Sequence, residues 1–125
     1  METITLDQTE LAKRYTVEDC ERIVAEAEQA AYRAADTYFH DVLGGVDQYA
    51  CGFAWVDVYG IKGNTRIGKR LTAAGVRKSY SGSFQLWNPS KYPVQNVDTL
   101  EAGARAAAQV FQRYGFRAYA GSRLD

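Results

Sequence analysis

The chain has 125 residues, 46% of them hydrophobic and 24% charged, which suits one globular domain with a single core and argues against long disorder. No stretch approaches the roughly 18 apolar residues of a membrane span, and the opening METITLDQTELAKRY lacks the basic and apolar regions of a secretory signal. The formal net charge is zero, yet residues 1–50 hold eleven acids against four bases and residues 51–125 four acids against eleven bases, a swing from −7 to +7. That asymmetry points to an anionic partner for the second part, or to pairing of the basic part with the chain's own acidic helix.

Residues 1–15 carry no firm period, and residues 3–6 are expected as a short edge strand. Thr16 opens a long helix: its hydroxyl is an N-cap, Asp19 stands three residues on, and Glu18, Asp19 and Glu21 suit the positive end of the helix dipole. Val17, Cys20, Val24, Ala27, Ala31, Ala34, Tyr38 and Val42 recur at steps of three and four until Gly44-Gly45 end the helix. This stripe is rich in alanine, so a close-packed neighbour is expected, either the chain's own sheet or a second copy. Residues 50–59, ACGFAWVDVY, are apolar on both alternating faces and predict a central strand covered on both sides, with Asp57 interrupting the aromatic face.

A second helix is expected over about 65–74, with Ile67, Leu71 and Ala74 inward and Gly75 as its cap. Residues 80–87, YSGSFQLW, alternate and predict a strand with one wetter face, followed by a loop over 88–96 with Pro89 and Pro93. Asp98 and Glu101 form a D-x-x-E start for a third helix, whose inward line Leu100, Ala104, Ala107, Phe111 and Tyr114 ends at Gly115. Residues 116–120 are the last strand. Helices between strands favour parallel neighbours. The expected class is α/β, with α+β open, in one domain over 1–125. A segment 1–15 and a long helix 16–43 precede a core at 50–125. That core is a three- to four-stranded mixed or parallel sheet with helices packed on it, its further edge strand supplied by the N-terminus or by oligomerisation.

Gly63-Asn64-Thr65-Arg66-Ile67-Gly68-Lys69 matches the first seven positions of a phosphate-binding P-loop. Arg70 then stands where the Mg²⁺-binding hydroxyl belongs, and Ile67–Leu71–Ala74 already has helical spacing, so NTP hydrolysis is not expected. A phosphate at the helix start, near Thr65 and Arg66, remains open. Catalytic sets are thin. His40, the single histidine, is expected at the surface, and no spacing supports a Cys51–His40–Asp57 triad. Cys20 and Cys51 lie in no CxxC or Cys/His cluster and are expected to be reduced structural thiols; no metal and no cofactor are expected.

The better signal is the interleaving of Trp55, Tyr59, Tyr80, Trp87, Tyr92 and Tyr119 with Arg66, Lys69, Arg77, Lys78, Arg117 and Arg123. Bases stack on aromatic planes while arginines hold phosphates. Trp55 reads as core; Trp87 and Tyr92, at a strand end and in a loop, read as functional. The candidate ligand set is Asn64, Thr65, Arg66, Lys69, Arg70, Arg77 and Arg123 for phosphate and polar edges, with Tyr80, Gln85 and Trp87 at the base.

Several stretches together carry a resemblance: Cys51-Gly52-Phe53-Ala54-Trp55-Val56, Gly63-Asn64-Thr65-Arg66 with Lys69, Tyr80-x-Gly82 with Trp87, Gln95, Glu101-Ala102 and Ala118 to Asp125. Over roughly residues 50–125 the chain resembles a widespread group of small tailed-phage proteins of unassigned function. The resemblance implies a phage-encoded protein of the host cytoplasm, and the thin catalytic sets place an enzyme last among the readings. Its expected role is a homo-oligomeric sponge that sequesters a nucleotide immune signal against host defence. A nucleic-acid-binding accessory protein and a structural or host-protein-binding module are the alternatives.

Overall fold

In the computed structural model, which describes residues 4–125, two N-terminal helices precede a βαββαβ unit. Asp7 caps the first helix, α1 (Gln8–Arg14), by accepting from the Glu10 N–H at 2.9 Å, and Leu11 is the buried residue that anchors it. One apolar anchor gives no period to read, so the sequence pattern does not predict this helix. Thr3, from the expected edge strand, lies outside the described residues. Residues 4–6 form no strand; the Leu6 N–H donates to the Gly115 carbonyl at 2.8 Å.

Thr16 begins α2 (Val17–Asp41) with both halves of a capping box, its hydroxyl on the Asp19 N–H and the Asp19 carboxylate on its own N–H. The alanine stripe does have a close neighbour, and it is α4 (Val97–Arg113) of the same chain. Ala27, Ala31 and Ala35 are fully buried, as are Ala104 and Ala107. The backbones approach so closely that a Cβ on Gly103 would stand 3.0 Å from the Ala31 carbonyl and 2.8 Å from the Ser90 Cβ.

The cap of α4 is Asn96, two residues earlier than the D-x-x-E reading, with its Oδ1 accepting from the Thr99 N–H at 2.8 Å. Asp47 in turn holds Asn96, accepting from its N–H at 3.1 Å and its Nδ2 at 2.9 Å, and from the Gln95 N–H at 2.9 Å. The Asn96 amide, then the Gln95 N–H, hold the Asp47 carboxyl below its ordinary value. Asn96 is 1% exposed. Asp47→Ala therefore strips partners from a buried cap and is expected to cost about 1–2 kcal/mol in chemical denaturation at neutral pH. A depressed pKa stabilises the fold above the unfolded carboxyl value of 3.8 and ceases to do so as pH falls through the lower folded value. The gap between wild type and Asp47→Ala should accordingly close in acid.

The strands are β1 (Gly52–Tyr59), β2 (Arg77–Lys78), β3 (Phe84–Trp87) and β4 (Arg117–Leu124), with α3 (Arg66–Ala73) between β1 and β2. They form one sheet in the order β2-β3-β1-β4, and every ladder is antiparallel. This is the split βαβ arrangement. The parallel neighbours expected from the crossovers do not occur. The helices do join strands of like direction, β1 to β2 and β3 to β4, but an antiparallel strand lies between the members of each pair. The fourth strand is the two-residue β2, not an N-terminal segment. Residues 80–83, expected inside a strand, belong instead to the β2–β3 turn: Ser79 N–H donates to the Ser83 carbonyl at 2.8 Å, and Gly82 has φ 92°. At the other end β4 runs four residues further than expected, to Leu124.

One face of the sheet presents Ala54, Val56, Val58, Phe84, Leu86 and Ala118, all buried beneath the helices with Ile67, Leu71, Phe111 and Phe116. Among the described residues, no helix packs on the other face. Along β1 burial alternates strictly, so this strand is covered on one side and not on two. Cys20 lies at 0% exposure, and burial pushes its thiol up to about 11; Cys51 is exposed, and both are free. No described helix is long and apolar enough to cross a membrane.

Candidate functional site

The uncovered face is built by register. Directly paired antiparallel residues share a face, so the ladders lay out four rows across it. Arg117 stands opposite Tyr59. The next row runs Arg77–Gln85–Asp57–Tyr119 across all four strands. Trp87–Trp55–Gly121 follows, and Arg123 opposite Phe53 closes the set.

The Trp55 and Trp87 rings lie 5.3 Å apart and within 5° of parallel. Phe53 abuts Trp87 at 5.8 Å. Tyr59 and Tyr119 meet at 6.1 Å. Each end is closed by a guanidinium over a ring, Arg123 5.3 Å from the Phe53 centroid and Arg117 5.7 Å from that of Tyr59. Gly121 is glycine because the Trp55 indole lies on it; a Cβ there would sit 2.5 Å from Trp55 Nε1.

Asp57 is the single carboxylate in these rows. It accepts from Trp55 Nε1 at 3.0 Å, from Gln85 Nε2 at 3.0 Å and from Ser83 Oγ at 3.3 Å. It thereby fixes the plane of one indole and the orientation of one amide. Burial, then the nearby Asp57 charge, raises the Tyr59 phenol above its ordinary pKa, so Tyr59 adds no negative charge at neutral pH. A shallow concavity of about 540 Å³ lies over Trp55, Asp57, Tyr59, Gln85 and the turn at Ser81, Gly82 and Ser83. It adjoins a second of about 360 Å³, walled by Tyr80, Trp87 and Arg123.

The expected ligand residues therefore divide. Tyr80, Gln85, Trp87 and Arg123 converge on this face, and Arg77 stands at its edge beside Gln85. Asn64, Thr65, Arg66, Lys69 and Arg70 belong to the helix layer, where Ile67 and Leu71 anchor α3 to the covered side of the sheet. Arg66 lies on α3 in the helix layer, whereas Arg77 and Arg123 lie on the sheet strands β2 and β4. The P-loop likeness has a packing cause. Thr65 is the N-cap of an ordinary helix, its hydroxyl accepting from the Gly68 N–H at 3.2 Å and donating to the Lys62 carbonyl at 2.6 Å. A Cβ on Gly68 would collide with that same carbonyl.

Arg70 is structural. Its Nη1 donates to the Ala12 and Tyr15 carbonyls at 2.7 and 2.8 Å, satisfying acceptors at the C-terminal end of α1. Arg70→Ala is expected to cost about 2 kcal/mol of stability in urea unfolding while leaving ligand affinity unchanged. Tyr92 is structural too: it is buried, with its hydroxyl donating to Asp36 Oδ1 at 2.5 Å, and that bond, with burial, pushes its phenol up to about 12.

His40 pairs with Asp36 along α2, and Asp57 lies in the sheet, so the Cys51–His40–Asp57 grouping has no common centre. Among the described residues, no cluster of three or more His, Cys, Asp or Glu is placed to hold a metal. The acidic and basic parts do not pair broadly; among the described residues a single ion pair, Lys91 to Glu28 at 3.1 Å, joins them.

Trp55, read as core from its apolar setting, is only partly buried and central to the open face. Phe53, Asp57, Arg117 and Tyr119 also belong to it. The signal that marks them is the period-two line Phe53, Trp55, Asp57, Tyr59: a carboxylate does not sit unpaired in a sheet's buried face. No family model, curated protein or solved structure matches this chain.

Proposed function

We propose that the protein is a non-catalytic binder of a phosphorylated ligand carrying a nucleobase, and that the open face of the sheet receives it. The observation that carries this reading is the near-parallel Trp55–Trp87 pair on the uncovered face, with Trp87 49% exposed and Trp55 partly buried beside it, bracketed by Arg123 and Arg117. Aromatic faces on an uncovered sheet stack bases, and flanking guanidiniums hold phosphate. Asp57 and Gln85, locked to each other, offer hydrogen-bonding groups to a base edge without the geometry of a catalytic pair.

On the resemblance of residues 50–125 to small tailed-phage proteins, the proposed setting is the cytoplasm of a bacterial host. A nucleotide immune signal is one ligand of this class, held by a homo-oligomer and not turned over. A second occupant of the same chemistry, a nucleic-acid strand, is favoured by the length of the face. The test is indole fluorescence and thermal shift against a panel of nucleoside phosphates, cyclic dinucleotides, ADP-ribose derivatives and short oligonucleotides. Quenching of the tryptophans with a rise in melting temperature for a base-bearing phosphate is expected. Neither change for any member of the panel would overturn the proposal.

A further inference from the structure

We infer that the ligand of the open face is a single strand of nucleic acid laid along β1, an inference that rests on the base-stacking reading above. Three features lead to it. The first is length. Arg123 sits opposite Phe53 and Arg117 opposite Tyr59. Those positions are six residues apart on β1, so the two guanidiniums mark sites about 20 Å apart at about 3.3 Å per residue. A single base with its own 5′-phosphate reaches one of them; a chain with repeated phosphates reaches both.

The second feature is repetition. Ring faces occur in succession between the arginines: Phe53, the Trp55–Trp87 pair, then the Tyr59–Tyr119 pair. One base fills one such place, whereas a strand fills about two or three, the number that four-stranded sheets of this kind stack. Duplex bases are excluded, because their faces are hidden within their own stack. The third feature is the distribution of charge. Arg77, Arg117 and Arg123 lie toward the margins, while Asp57, the carboxylate of the four rows, lies inside. Phosphates belong at the rim and base edges at the centre, as a strand with its bases turned onto the sheet requires.

The chain has a formal net charge of zero, so attraction is local and the salt response is small. Three arginines on a single strand give a slope of log K against log salt of about −2, at about −0.7 per phosphate. Labelled RNA and DNA strands of about two to eight nucleotides, a duplex of the same sequence, mononucleotides and cyclic dinucleotides are titrated by anisotropy and indole quenching. Affinity is expected to climb with strand length and level off at about four nucleotides. The duplex should bind more weakly than either strand, and binding of RNA or of DNA supports the inference.

Arg117→Ala and Arg123→Ala, each shown by circular dichroism to be folded, should each shallow the salt slope by about 0.7. Binding of a mononucleotide or cyclic dinucleotide as tightly as the longer strands would overturn the single-strand inference and leave base stacking intact. Unchanged slopes in both variants would overturn the path along β1. Absence of binding by every probe would overturn both this inference and the reading beneath it.

Discussion

Trp87→Ala is expected to weaken binding of a base-bearing ligand by about five- to 150-fold, the loss of about 1–3 kcal/mol that one base–aromatic stack supplies. It should do so with little cost to the fold. Trp87 ends β3, is 49% exposed, and makes no side-chain hydrogen bond on which another group depends. Trp55→Ala is a poorer probe. It would remove the Nε1 donor from Asp57 and uncover Gly121, so stability and affinity would fall together. Trp87→Phe keeps a smaller ring in the same place and should recover part of the loss. Titration by fluorescence, with urea unfolding of each variant, separates the two effects. Wild-type affinity in a folded Trp87→Ala protein would remove the indole pair from the site.

The features legible in the sequence are those with local causes. The Thr16 capping box, the first half of the α2 stripe (Cys20, Val24, Ala27, Ala31), the apolar line of α3 and the glycine stops each depend on residues within a turn or two of one another and stand where expected, whereas beyond Ala31 the buried line passes through Ala35 and not Ala34, and Val42 is exposed. Strand order is not local. Two residues of β2, exposed and basic, carry no apolar alternation, yet they add the fourth strand, and without them the crossovers imply parallel neighbours.

The site was half legible for the same reason. Gln85 and Trp87 alternate visibly with buried Phe84 and Leu86, so the wet face of β3 could be read. On β1 the wet face is itself aromatic. Phe53 and Trp55 look like core because composition does not say that the other layer of the sandwich is absent. Asp57 was the discordant residue, and its partners Trp55, Ser83 and Gln85 come from across the sheet. The cations were misplaced where charge was counted along the chain. Arg70 sits among basic neighbours in sequence, but in space it ends a helix that has no visible period.

The alternation on β3 can be tested by two adjacent residues. Phe84→Ala is expected to cost about 3–5 kcal/mol, because a fully buried ring at the junction of sheet and helices is lost and a cavity is left. That is a large part of the roughly 5–15 kcal/mol that holds a domain of this size, so the variant should unfold at much lower urea. Gln85→Ala, one residue on, faces the opposite way. It removes a donor to the part-exposed Asp57 and should cost no more than about 1 kcal/mol. Its effect belongs to the ligand: Asp57 loses the amide that orients it, and base preference should broaden while Phe84→Ala, in whatever fraction is folded, keeps the wild-type preference. Urea unfolding and a base-by-base titration of both variants give the comparison. Equal stability losses at 84 and 85 would contradict a sheet covered on one side only, and with it the surface on which the proposed ligand lies.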